Sequence, residues 1–302
     1  MVSERLCEGP GCNVYFTPGV WNQKYHNTDC KRDTEKLLRK EAMINVLSTQ
    51  DSVGTEPRIL LLDIETSPNL VYTWGLFNQN IGINQIEETS RVLCFSAKWL
   101  GSGKTNVIFH SEREGHDVMV KSAWDLLDQA DAVIHYNGSS FDIPHLNREF
   151  LEADLGPPSP YQNIDLYRLS KRFKFQSRKL EHVSKKVGLE GKIQHSGFEL
   201  WRGCLQGDDK SWKTMERYNK RDVTLMEDMY HILLPWIPGL PNRRLYDTEA
   251  GCPRCGSNHI QRRGVIRSAT SIFQQFQCQN CRGYFRETAR SAGVEFRDIA
   301  SC

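Results

Sequence analysis

No stretch of the 302 residues strings together the roughly 18 apolar side chains that a membrane-spanning helix needs. The opening residues, MVSERLCEGPGC, lack the apolar core of a secretory leader, so a cytoplasmic setting with no membrane partner is expected, in a bacterial cell or a phage-infected host. There is no internal repeat and no low-complexity tract. The net charge is only +2, which as a whole-chain property selects no particular partner. Thiols stay reduced in the cytoplasm, so the ten cysteines need an explanation other than disulfides.

What is present is unevenly spread. Residues 165–192 carry nine Lys/Arg against three Asp/Glu, and residues 252–297 carry eight Arg against Glu287 and Glu295. Either region is a solvated face or the landing place of a polyanion. Seven of the ten cysteines fall into two tight groups near the termini. Cys94, Cys204 and Cys302 are scattered; the first two read as small apolar residues and the last as part of a tail.

The chain parses into segments. Residues 1–34 are turn-rich and bear Cys and His; 35–56 read as a helical linker; 57–238 form one long mixed segment; 239–249 read as a second linker, 250–288 hold the second Cys group, and 289–302 form a tail. Within the long segment, strands are expected at 58–64, 91–99, 104–110, 131–136 and 161–165. Helices are expected at 121–130, from 142, at 177–188 and, with a long apolar stripe, at 212–235. A hairpin beside a strand–helix–strand unit predicts an α/β fold, a mixed sheet flanked by helices.

The stretch RILLLDIETSP carries the chemistry. Five apolar residues in six positions predict a buried strand, yet Asp63 and Glu65 stand two apart on it, on the same face. Burying an unpaired carboxylate costs several kcal/mol, and a like charge beside it adds to the cost. A hard cation such as Mg²⁺, which takes oxygen ligands, is the simplest compensation. It would need further acids nearby. VIHYNGSSFD ends a buried strand in a turn with Asp142 at a helix start, where an Asp is also an ordinary N-cap. RYNKRD places Tyr218 and Asp222 four apart, on one helical face.

DIET, NGSSFD and YNKRD, in that order, resemble the three motifs of the DEDD 3′–5′ exonucleases of the ribonuclease H-like superfamily. The Tyr-x3-Asp spacing resembles the tyrosine subclass, DEDDy; the other subclass has His five before the Asp, where this chain has Arg217. The resemblance covers about residues 57–238 and implies a ribonuclease H-like sheet. It implies that Asp63 bridges two divalent cations, Mg²⁺ or Mn²⁺, that Glu65 and Asp222 complete the position of the attacking water, and that Asp142 holds the second cation. It implies that Tyr218 orients the water and that Asn137 and Phe141 shape the site. Two cations about 3.5–4 Å apart suit an in-line displacement at a phosphodiester.

Other residues are weighed beside these. LGSGKT looks like the tail of a phosphate-binding loop, but the Gly such a loop needs is Lys98, so a hairpin turn is expected. Thr66 ends the first motif and is expected to bind substrate; Trp74 follows it and is expected to stack on a terminal base; Tyr72 and Phe77 are expected in the core. YRLSKRFKFQSRK interleaves aromatics with Arg172, Lys174, Arg178 and Lys179, a pattern suited to a single strand. His135, His145 and His182 read as structural, as does Asp165; His195, in a loop, is placed to reach substrate.

The cysteine groups predict metal. Cys252, Cys255, Cys278 and Cys281 are spaced C-x2-C-x22-C-x2-C, which resembles a zinc ribbon with two strands between the pairs. Cys7, Cys12, His26 and Cys30 make a looser set, C-x4-C-x13-H-x3-C. Two structural Zn²⁺ ions are expected, one per module. Arg262 and Arg263 on the ribbon favour nucleic acid as its ligand. The expected function is a metal-dependent 3′–5′ exonuclease that acts on single-stranded or frayed nucleic acid, DNA before RNA, and releases nucleoside 5′-monophosphates. A replication or repair protein is an expected partner. The competing readings are an RNA 3′-end trimming enzyme and an inert zinc-dependent nucleic-acid-binding adaptor.

Overall fold

The computed structural model describes residues 4–20, 23–34, 56–247 and 251–295. The expected helical linker at 35–56, except for its last residue, lies outside the described residues, as does the end of the tail. The chain divides into two units, Met1–Gly54 and Thr55–Cys302. In the first, strand β1 (Arg5–Leu6) pairs antiparallel with β2 (Tyr15–Phe16), and a helix begins at residue 28.

The second unit is built on a five-stranded mixed sheet. Its strands are β3 (Ile59–Thr66), β6 (Val92–Trp99), β7 (Ile108–Ser111), β8 (Ala132–His135) and β9 (Gln162–Asp165), with β4 (Leu70–Val71) and β5 (Ile86–Glu88) forming a separate ladder in the excursion after β3. The order is β7-β6-β3-β8-β9: β6 runs antiparallel to both its neighbours, β3 and β7, while β8 and β9 run parallel to β3. The helices are α1 (His116–Asp128), α2 (Asp142–Glu152), α3 (Leu166–Ser170), α4 (Leu180–Lys186), α5 (Phe198–Leu205) and α6 (Asp209–Leu233). None of the described helices is long and apolar enough to cross a membrane.

Central strand β3 is apolar on both faces because each is covered, as strands with parallel neighbours usually are. Leu60, Leu62 and Ile64 pack with Met119, Leu127, Leu146 and Phe150 of α1 and α2. Ile59 and Leu61 pack on the other face with Val223, Met226 and Met229 of α6. The period of two therefore aims Asp63 and Glu65, like Leu61, at α6. The α6 stripe of Met226, Met229 and Leu233 runs back through Asp222 to Tyr218, so the same face that buries the helix presents these two to β3. Lys98 of β6, fully buried, donates to Glu227 of α6 at 2.8 Å and fixes the helix against the sheet.

Several expectations shift by a few residues. The second hairpin strand begins at Ile108 rather than 104, because Gly103–Asn106 stay in the turn. The helix expected at 121–130 starts at His116, and the one at 177–188 narrows to Leu180–Lys186. Helix α5 has no counterpart among the expected elements. Its Gly203 lowers helix propensity, yet a Cβ there would fall 2.1 Å from Ser211 Oγ, so the glycine is what lets α5 close on α6.

A second sheet completes this unit. Strand β11 (Ser271–Cys278) pairs antiparallel with β10 (Ile260–Arg267), β12 (Tyr284–Arg286) and β13 (Ala292–Gly293). It abuts the end of α6: Arg254 donates to the carbonyls of Leu234 (3.1 Å) and Ile237, and Cys255 and Cys281 pack against the core cluster that holds Tyr230.

Candidate active site

Asp63, Glu65 and Asp222 each offer a carboxylate oxygen, and these oxygens lie within 4.8 Å of one another. Two come from β3 and one from α6, 157 positions further along the chain, and the fold alone brings them together. Asp142 is not in that trio. It is the first residue of α2, with Phe141 at the cap position, and its Oδ1 accepts from the backbone N–H of Ile64 at 3.0 Å. Its carboxylate thus lies against the β3 backbone at Ile64. The turn before it is tight: Asn137 has φ 70°, and a Cβ on Gly138 would sit 2.5 Å from the His135 ring. Asp165 Oδ1 accepts from the N–H groups of Asn137, Tyr167 and Arg168, pinning that turn and capping α3.

The acids repel each other in a poorly solvated place. Asp142 and Asp222 are buried, while Asp63 and Glu65 keep a partial opening to the surface. Burial, then the Asp222, Asp142 and Glu65 charges, raises Asp63 well above the carboxylate range. Burial, then Asp222, pushes Glu65 up to about 8. Burial pushes Asp142 up to about 7 in spite of the Ile64 N–H bond. Burial also raises Asp222, against the opposing pull of Lys192.

A hard cation would compensate such a set, and two observations fit one. The donors are all hard carboxylate oxygens, and Asp222 Oδ1 is buried without a hydrogen-bond partner. Asp63, Glu65 and Asp222 would hold it, with Asp142 close by. The linkage gives a testable sign. Glu65 and Asp142 have folded-state values above their usual 4.5 and 3.8, so their protonated forms favour the fold at low pH and that contribution is lost as pH rises. With zinc loaded and no Mg²⁺ or Mn²⁺ added, Tm is expected to fall between about pH 4.5 and 8, and saturating Mg²⁺ to flatten that slope. Glu65→Gln should remove part of the slope seen without Mg²⁺; a scanning-calorimetry series at several pH values reads all three.

Two neighbours escaped the sequence reading. Asn219, fully buried beside Tyr218, donates to Asp63 Oδ2 at 2.7 Å and to the Asp63 carbonyl at 3.3 Å. Lys192, in the loop between α4 and α5, donates to Asp222 Oδ2 and, at 3.2 Å, to the Tyr218 hydroxyl. Asn219 stands inside YNKRD and adjacency could have flagged it; Lys192 carried no signal beyond its place in a basic region. His195 stacks edge-on against Tyr218, with ring centroids 4.8 Å apart.

A cleft of about 390 Å³ opens from Asp63 and is lined by Asn137, Arg178, Lys179, Lys192, Tyr136 and Tyr167 among others. It gathers three of the residues expected to bind substrate. Arg172 is not among them: it donates to the Trp236 carbonyl and lines a different cleft with Asp165 and Arg168. Lys174 is exposed with φ 48°, and Phe141 is partly exposed against His145. Thr66 ends β3 just past a register shift after Glu65. Trp74 is 98% exposed. Tyr72 and Phe77, expected in the core, are instead exposed with it, because the excursion after β3 projects from the sheet rather than folding onto it.

The cysteine groups close as their spacing implied. In the ribbon, Cys252 and Cys281 sulfurs are 3.7 Å apart and Cys255 and Cys278 sulfurs 3.6 Å. A tetrahedron with Zn–S of about 2.3 Å has edges of about 3.8 Å, so these thiols could hold zinc. In the first unit His26 Nδ1 lies 3.4 Å from Cys12 Sγ and 3.5 Å from Cys30 Sγ, and Cys7 completes a set of four within 4.8 Å. None of the nine described cysteines is in a disulfide. Arg262 and Arg263 sit on exposed β10, Arg263 donating to Gln277.

Residues 60–234, more than half of the chain, match the family model described as RNase_H superfamily. The chain belongs to the RNase_H superfamily. The matched span contains all of β3 after Ile59, all of α6 and nothing of the ribbon, so the superfamily domain is the part that carries the acid cluster. No curated protein matches the chain. Among solved structures it is similar to a family B DNA polymerase from the hyperthermophilic archaeon Pyrobaculum calidifontis, at 18% identity and a TM-score of 0.45, over 65% of this chain and 28% of that one.

Proposed function

We propose that this protein is a metal-dependent nuclease of the DEDDy kind, which removes nucleotides from the 3′ end of single-stranded or frayed nucleic acid, with DNA ahead of RNA. The observation that carries the reading is the meeting of Asp63, Glu65 and Asp222, with Tyr218 one helical turn from Asp222. Membership of the RNase_H superfamily supports it.

Divalent cations, Mg²⁺ or Mn²⁺, would be held by Asp63, Glu65, Asp222 and Asp142, and when bound supply Lewis acidity toward water and phosphate. The protein's own groups do the rest. Burial and the Asp222 charge raise the Tyr218 phenol, so at neutral pH it keeps its proton and serves as a hydrogen-bond donor and orienter, not a base. Asn219 fixes the rotamer of Asp63 from α6. Arg178 and Lys179 line the cleft that opens from Asp63, where a phosphodiester backbone would find its counter-charges. Trp74 would stack on an unpaired base. Trp74→Ala is expected to weaken binding of a single-stranded oligonucleotide about tenfold, as the loss of one stacking contact should, with Tm unchanged. Fluorescence anisotropy with a Ca²⁺-arrested complex reads the first and calorimetry the second.

Matched DNA and RNA oligonucleotides, each blocked at either the 3′ or the 5′ end, test the reading. Shortening that a 3′ block stops and a 5′ block does not, with nucleoside 5′-monophosphates as products, is the expected result. Shortening from the 5′ end, or none with Mg²⁺ or Mn²⁺, would refute it.

A further inference from the structure

The acid cluster carries a cation of the protein's own. Lys192 Nζ donates to Asp222 Oδ2 and to the Tyr218 hydroxyl, lies 5.2 Å from the centre of the Tyr218 ring, and leaves only 25% of its side chain exposed. This is not a surface lysine that has swung inward. Its loop is tied to α6 on both sides: Arg221 donates to the Glu190 carbonyl at 3.3 Å, and the His195 ring packs on Tyr218 and, at 5.3 Å, on Trp201. Gln194 adds a tie to Glu181 on α4 at 3.3 Å. The tether delivers one ammonium to the carboxylate that the proposed cations also need.

We infer that Lys192 is a built-in counter-ion of the acid cluster, which competes with divalent cations for Asp222 in the substrate-free protein and weakens their binding until a phosphodiester enters the cleft. The inference rests on the metal-dependent reading above. Two facts set its direction. A divalent cation beside Asp222 would sit within a few ångströms of the ammonium, where repulsion between like charges is large compared with thermal energy. And Lys192 also lines the cleft with Arg178 and Lys179, so a phosphate there would offer the ammonium a second anion and release Asp222 to the cation. Substrate and cation would then bind cooperatively, and a free cluster would not load fully on its own.

A purely positioning role makes the opposite forecast. If Lys192 served only to orient Asp222, its removal would weaken the cation. The test is a titration of the zinc-loaded full chain with Mn²⁺ in the absence of nucleic acid, following free Mn²⁺ by electron paramagnetic resonance, with Asp63→Asn defining binding that lies outside the cluster. Lys192→Met is expected to bind Mn²⁺ at the cluster about tenfold more tightly than wild type, and Lys192→Arg, which keeps the charge, to stay close to wild type. Lys192→Met should also have a lower Tm than wild type in the zinc-loaded protein without Mn²⁺ and regain it with Mn²⁺. Lys192→Gln, read the same way, serves if the methionine variant does not fold. Unchanged or weaker Mn²⁺ binding in a folded Lys192→Met or Lys192→Gln protein would overturn the inference while leaving the nuclease reading standing. Absence of any Mn²⁺ binding that Asp63→Asn removes would overturn both.

Discussion

Asp63→Asn should abolish cleavage, by at least about a thousandfold, and leave the protein folded. The amide is nearly isosteric and its oxygen can still accept from Asn219, so the packing between β3 and α6 survives. What disappears is the charge at the centre of the cluster, and with it the anionic ligand that a catalytic cation requires. The free protein should not suffer. Asp63 is raised well above the carboxylate range by burial and three neighbouring carboxylates, so neutralising it relieves repulsion. In the zinc-loaded protein without Mg²⁺ or Mn²⁺ the variant's Tm should therefore equal or exceed that of wild type. Rates on a 3′-labelled oligonucleotide and a melting curve decide the matter; more than a tenth of wild-type activity, or a collapsed fold, would count against the assignment.

The second large effect is expected far from the acids. Cys252→Ser should unfold the ribbon and lower the Tm of its unit by more than about 5 °C. A four-thiolate module too small for its own core folds because metal binds. Here it is also a brace. Arg254 donates to the carbonyls of Leu234 and Ile237, where α6 has ended, and Arg243 pairs with Glu56 at 3.1 Å just before β3. Arg243 N–H in turn donates to the Pro253 carbonyl, joining that segment to the first cysteine knuckle. Losing the ribbon would leave these carbonyls and part of the Tyr230 core cluster uncovered. Calorimetry and limited proteolysis would show the loss; an unchanged Tm with the ribbon cleaved away would mean that the brace does nothing.

Much of the site was legible because its signals are short-range. Asp63 and Glu65 share a face by the period of a strand, Tyr218 and Asp222 by the period of a helix, and the four ribbon cysteines by the spacing of two knuckles. The strand–helix alternation and the hairpin at LGSG likewise announce a mixed sheet. What stayed hidden depends on the path of loops. Lys192 reaches Asp222 only because the turn after α4 is pulled onto α6, which no periodicity records. Tyr72 and Phe77 read as core residues because aromatic side chains usually are, but their excursion leaves the sheet. Helix α5 was masked by Gly203, whose role is contact with Ser211 and not helix formation. Arg172 looked like one of a row of basic substrate contacts, yet it donates to the Trp236 carbonyl and lines a different cleft from the one that opens at Asp63.

The most direct test of the metal-centred site is diffraction from crystals grown with Mn²⁺ and a nucleoside 5′-monophosphate, using the anomalous signal of Mn²⁺ to place the ion. Density among the carboxylates of Asp63, Glu65 and Asp222, lost in Asp63→Asn crystals, is the expected result. Wild-type crystals at millimolar Mn²⁺ with the nucleotide bound in the cleft that show the three carboxylates ordered and no anomalous peak between them would contradict it.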